Sequence, residues 1–147
     1  MTTNLFRLVY CSRNTISADQ SDPAAEIAEI LAVSRANNAR DGVTGALLYS
    51  DGCFAQVLEG DLHMVQRTFE RIQRDTRHGD VIVLEARRTE ARMFGMWNMA
   101  LAEPADPTKA KAILGLALAE PNGDVGTTVV ALLDGLVRRE GDWANAA

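Results

Sequence analysis

Two β-rich runs, "VTGALLYS" and "CFAQVLEG", are separated by only Asp51 and Gly52. A two-residue Asp-Gly connector is a strong hairpin signal, because it tolerates the positive φ angles that right-twisted strands require of their turn. The second run reads as a buried strand ending in a helix cap at Asp61, yet Gln56 stands in its middle. Side-chain alternation puts Phe54, Gln56 and Leu58 on one face, with Cys53, Ala55 and Val57 on the other.

The rest of the chain builds around this hairpin. "LFRLVYCS" alternates as a first strand, with Phe6, Leu8 and Tyr10 on one face and Arg7, Val9 and Cys11 on the other. "SDPAAEIAEILAVSRANN" predicts a helix capped by Ser21 or Asp22, with Pro23 in its first turn and Ile27, Ile30 and Leu31 along one side. "LHMVQRTFERIQRD" predicts a second helix whose Leu62, Val65, Phe69 and Ile72 pack on a sheet. "VIVLEAR" follows as a fourth strand, and "MWNMAL" as a fifth.

The order β-α-β-β-α-β-β predicts an α+β chain: a ferredoxin-like βαββαβ unit with an extra fifth strand and strands one and three side by side at the centre. Beyond Pro104 the composition turns Ala- and Leu-rich. Two C-terminal helices are expected there, the first capped by Asp106, the second running from Val125 after "PNGD" and bearing Arg138 and Arg139 near its end. The expected division is residues 1–103 as one domain and 104–147 as a helical appendage, too short to be an enzymatic domain.

With helices over the Tyr10 face, Gln56 points into the interior, where an unpaired amide costs about 1–3 kcal/mol. Tyr10 is its nearest partner, but one hydroxyl does not match all the donors and acceptors of a carboxamide. Strand and helix phases direct Tyr10, Ser12, Ser34, Asn37, Asn38 and Gln56 toward one interior region. Such convergence points to a bound polar ligand. Asn38, taken alone, reads by default as a C-terminal cap of its helix.

Other chemistries find little support. A formal net charge of -5 argues against nucleic acid and anionic membrane as partners. Neither a membrane span nor a signal peptide is visible, so a cytoplasmic protein is expected. Phosphate-loop, dinucleotide-turn and zinc-helix motifs are absent. His63 and His78 are the only histidines and read as a surface residue and a loop residue, so no metal site is expected. Cys11 and Cys53 read as buried, inert thiols. Ser12 lacks an accompanying His and acid, and Glu59 with Asp61 read as strand-end and cap residues rather than a catalytic pair.

Four fragments, "LVYCS", "SRANNARDGVTGALLYSDGCFAQVLEG", "RIQRDTRHGDVIVL" and "RMFGMWNMAL", together resemble the BLUF family of flavin-using blue-light sensors over residues 4 to 102. The resemblance implies a non-enzymatic photoreceptor that binds FAD, with FMN or riboflavin as lesser options. It makes Tyr10 the electron-donating tyrosine, Gln56 the switching glutamine and Asn38 the residue on the flavin's pyrimidine edge. Asn37, Ser34 and Arg77 would line that edge, with His78 and Ser12 nearby, and Trp97 and Met99 match a variable pair of which one approaches Gln56. Ile27, Ile30 and Leu31 are either ring contacts or ordinary core. The loop "RNTISADQSDP" is longer than usual in the family.

The resemblance further implies the short, stand-alone type, signalling through its C-terminal helices to a separate protein partner or through a homo-oligomer. The competing readings are a ferredoxin-like protein-interaction module without flavin and, with less behind it, a flavin redox enzyme, for which no nicotinamide motif is present.

Overall fold

The computed structural model describes residues 5–14, 23–50, 52–76, 78–102 and 107–137. The elements are β1 (Leu5–Asn14), α1 (Pro23–Asp41), β2 (Thr44–Ser50), β3 (Cys53–Asp61), α2 (Leu62–Gln73), β4 (His78–Arg88), β5 (Ala100–Ala102), α3 (Pro107–Ala119) and α4 (Gly123–Leu136). The five strands form one sheet in the order β4-β1-β3-β2-β5. β1 and β3 are the antiparallel central pair expected of a ferredoxin-like unit, and β5 adds in parallel to β2.

Local chemistry accounts for the elements. Gly52 takes φ +82° in the hairpin turn, a conformation that costs glycine nothing. The Asp61 carboxylate accepts the His63 N–H at 3.0 Å, satisfying one of the free donors at the start of α2. The expected caps at Ser21, Asp22 and Asp106, and the basic end at Arg138 and Arg139, lie outside the described residues.

The sheet is covered on both faces. Against Leu8, Tyr10, Leu47, Phe54 and Leu58, α1 brings Leu31 with Ile27 and Ile30, and α2 brings Val65 with Phe69 and Ile72. Against Val9, Cys11, Ala46, Leu48, Ala55 and Val57 lie Ala110, Leu114 and Ala117 of α3 with Val129, Leu133 and Leu136 of α4. The helices expected as an appendage thus supply the second layer over the sheet.

Several boundaries differ from expectation, among them β1, which runs on to Asn14, and α1, which runs on to Asp41. β4 starts at His78 rather than Val81. α4 starts at Gly123 rather than Val125, because the Asn122 side chain caps it by accepting the Val125 N–H at 3.0 Å. The fifth strand is only Ala100–Ala102 instead of "MWNMAL". Upstream of it the chain bends, and its N–H groups are already committed: Trp97 N–H bonds Phe94 O, while those of Met93 and Phe94 bond the Glu59 carboxylate. Trp97 and Met99 therefore precede the strand instead of lying on it.

Cys11 is buried, as expected, and burial, with Cys53 nearby, pushes its thiol up to about 11; Cys53 is only half-buried. Among the described residues no helix is long and apolar enough to cross a membrane.

Candidate functional site

Tyr10 and Gln56 are direct register partners on the two central strands, and Leu47 of β2 flanks Gln56 on its other side. Period-two alternation sends all three toward α1 and α2. There, Ile30, Val33, Ser34, Asn37 and Asn38 of α1 face Thr68, Arg71 and Ile72 of α2 across an open-sided cavity of about 130 Å³. Phe54 and Asp75 complete its wall.

The Tyr10 hydroxyl donates to Gln56 Oε1. On the other end of the carboxamide, Nε2 lies 3.3 Å from the Met99 sulfur, a weak acceptor. The interior amide is therefore held firmly at its oxygen and loosely at its nitrogen. The Tyr10 ring packs against Phe69 at 5.5 Å between centroids. Burial, followed by the nearby Asp75 carboxylate, drives the Tyr10 phenol far above its ordinary titration range. Its hydroxyl is a committed donor at neutral pH.

Asn38 is almost fully buried, and its Nδ2 donates to Asn98 O at 2.8 Å. α1 continues to Asp41, so this side chain is not a helix cap but a tether to the segment before β5. One turn earlier, Arg35 Nε donates to Met99 O at 2.9 Å. Arg71, at the wall of the cavity, pairs with Asp41 at 3.2 Å, and Asp41 also bonds Arg40; these hydrogen bonds, Arg40 first, hold its carboxyl well below the usual carboxylate range.

Of the residues singled out from sequence, Tyr10, Ile30, Ser34, Asn37, Asn38 and Gln56 are brought together around the cavity. Ile27 and Leu31 belong to the apolar core of the same face and do not line it. Ser12 is fully buried opposite Phe54 and also stands off the wall. Arg77 lies outside the described residues, and of His78 only the backbone, at the start of β4, is described. His63 is exposed, and no metal-binding cluster occurs among the described residues.

Met99 is the member of the variable pair beside Gln56. Trp97 is buried in the opposite core, with α3 and α4. Sequence reasoning missed Val33, Leu47, Phe54, Thr68, Arg71, Ile72 and Asp75 as wall residues. Thr68, Arg71, Ile72 and Asp75 recur at i, i+3, i+4 and i+7, a helical spacing that starts on α2 and runs just past its end at Gln73, which was the signal available.

The cavity combines aliphatic walls with the uncharged amides of Asn37, Asn38 and Gln56, the Tyr10 phenol and the charged Arg71 and Asp75, a chemistry suited to a flat ring with a polar edge. Comparison with known proteins agrees. The family model described as "BLUF: Sensors of blue-light using FAD" matches residues 5–100. The photoactivated adenylate cyclase subunit beta of Euglena gracilis is 38% identical over 97 residues, 66% of this chain but only 11% of that protein. Among solved structures, BlrB, a BLUF protein in its dark state, superposes with a TM-score of 0.72 at 28% identity, covering 90% of this chain and 98% of the other. The photo-activated state of BlsA gives 0.71 at 26% identity, covering 90% and 94%. With a central Tyr10–Gln56 pair at the wall of a cavity between sheet and helices, and with the family pattern matched from β1 into β5, this chain belongs to the BLUF family of flavin-binding blue-light sensors.

Proposed function

We propose that this chain reports blue light by rearranging the hydrogen bonds of Gln56, with a flavin, taken as FAD, seated between α1 and α2. The residues present fit such a group. Ile30, Val33 and Ile72 offer aliphatic contacts, Asn37, Asn38 and Ser34 offer neutral donors and acceptors, and the wall opens to one side where a flavin tail can leave. When bound, the flavin supplies absorption of blue light and the ability to accept an electron.

What this chain's residues contribute is a poised exchange. Tyr10 is the nearest redox-capable side chain to the amide, and the proton it would release has an acceptor one bond away, Gln56 Oε1. The weak sulfur contact at Nε2 leaves the carboxamide little to lose by turning. After a turn, Nε2 donates to the Tyr10 oxygen and Oε1 takes the place beside Met99. The single observation that carries this reading is the burial of Gln56 between Tyr10 and Met99 at the edge of the cavity.

A change of one buried hydrogen bond is worth about 1–3 kcal/mol, enough to shift a population but not to unfold a domain. The shift is proposed to pass through Met99 and Trp97 to α3 and α4, and from there to a partner protein or a second copy of the chain. The Euglena cyclase subunits and a light-regulated bacterial adenylyl cyclase carry similar domains, and this chain spans about a tenth and a third of them respectively.

The test is spectroscopic. Purified protein should be yellow, its extracted cofactor should be FAD, and blue light should shift the flavin absorption reversibly. Gln56→Leu should keep the flavin and lose the shift, and Tyr10→Phe should lose most of its yield. A colourless protein that takes up no flavin, or a normal shift in Gln56→Leu, overturns the proposal.

A further inference from the structure

Glu59 is fully buried on β3, two residues past Val57 and therefore on the face covered by α3 and α4, not on the face of the cavity. A carboxylate in such a place is expensive unless every lone pair is used. Here each oxygen has work. Oε2 accepts from Arg7 Nε at 3.0 Å and from Met93 N–H at 2.9 Å, and Oε1 accepts from Phe94 N–H at 2.8 Å. Arg92, next in the chain, bonds Glu59 O at 3.2 Å and the Thr44 hydroxyl at 2.9 Å.

These bonds grip the beginning of the segment that leads to β5. Its end is gripped by α1, whose Asn38 and Arg35 hold the carbonyls of Asn98 and Met99, and by β2, whose Gly45 N–H holds Trp97 O at 3.1 Å. Between the two grips, Trp97 enters the core with α3 and α4 while Met99 meets Gln56. In an extended backbone, residues two apart share a face, so the opposite placement of Trp97 and Met99 needs the bent path that the two grips impose.

We propose that Glu59 is a positioning residue for the photosensory site: through the Met93 and Phe94 amides it sets the path that puts Met99 beside Gln56 and Trp97 against the C-terminal helices. Its link to light rests on the reading of Gln56 given above, but its structural content does not. In Glu59→Gln an amide donor must face one of the two backbone N–H groups, so one bond is replaced by a repulsion. Arg7→Met removes the ion pair and leaves both backbone bonds. Thr44→Val removes one of the two acceptors of Arg92, leaving Glu59 O, and is the milder way to loosen the segment.

The experiment uses methyl-labelled methionine in the flavin-loaded protein in the dark, with the Met99 resonance assigned by its loss in Met99→Leu, together with the rate of dark recovery after illumination. Glu59→Gln should displace or double the Met99 resonance and change the recovery rate about five- to tenfold. Thr44→Val should do the same more weakly, and Arg7→Met should lower the melting temperature while leaving the resonance in place. If Glu59→Gln does not fold, Thr44→Val decides. Wild-type resonance and recovery in both loosened variants, or an equal displacement in Arg7→Met, overturns the assignment. A wild-type protein with no light-induced shift would instead sink the sensor reading, and the resonance would still judge the role of Glu59.

Discussion

The two faces of the sheet are built to different standards. Over one, α3 and α4 lay down a core of Ala, Val and Leu side chains, with Leu114, Val129 and Leu133 entirely removed from solvent. Over the other, α1 and α2 leave a gap whose wall carries Gln56, Asn37, Asn38 and Ser34. Close packing is what gives a domain its stability, and an open wall forfeits part of it. The chain therefore concentrates its apolar packing on one face and keeps the other available to a ligand. Among the described residues, the segment before β5 meets both, carrying Trp97 into the packed face and Met99 into the open one.

The comparison is testable, beginning with what both faces share. At Gly45 a Cβ would come within 1.9 Å of the Val57 carbonyl oxygen, a backbone atom of the adjacent strand. Gly45→Ala should therefore open the β2–β3 pairing and cost about 4–5 kcal/mol or more, read as loss of cooperative unfolding or of soluble protein. A variant with near-native stability would show that the sheet is looser than the contact demands.

The next effect separates the faces. Leu133→Ala should cost about 2–5 kcal/mol in chemical denaturation, because a close-packed core collapses poorly around a lost side chain. Ile30→Ala, at the cavity wall, should cost about 1–2 kcal/mol, since part of its surface already faces open space. Equal losses would erase the distinction.

Alkaline titration sharpens it further on the open face. The folded-state value of Tyr10 is raised, so the stability tied to its protonated hydroxyl is fully present below the unfolded value of about 10 and is lost as pH rises beyond it. Wild type should lose about 1.4 kcal/mol per pH unit more than Tyr10→Phe above that point, measured by denaturant unfolding at stepped pH. Parallel profiles would mean that the phenol is not sealed from water.

The smallest effect is local. Asp61→Ala removes the acceptor of the His63 N–H and should cost about 1 kcal/mol, with α2 fraying at its first turn in hydrogen exchange. Protection unchanged in that turn would place its anchoring in packing alone.

Much of this was legible in the linear chain because the relevant signals are local. Strand parity and the Asp51-Gly52 turn put Tyr10 and Gln56 on one face and, through the order of elements, on neighbouring strands. The Asp61 cap needed only two residues of context. The wall residues on α2 and just after it were less visible, because Thr68, Arg71 and Asp75 look like an ordinary solvated stripe until a facing helix makes them one side of a cavity. Strand five was overextended for a related reason: "MWNMAL" alternates well, but whether it pairs depends on which N–H groups other parts of the chain have already taken.

What the order of amino acids determined by itself is therefore the set of elements, their faces and the family, since alternation, helical spacing, caps and turns act over a few residues. Only the tertiary structure decided that Met99 rather than Trp97 meets Gln56, that α3 and α4 cover the second face, and that Glu59 is an anchor instead of a strand-end charge. Those outcomes depend on hydrogen-bond donors and buried surface contributed by segments tens of residues apart, and no local pattern carries that information.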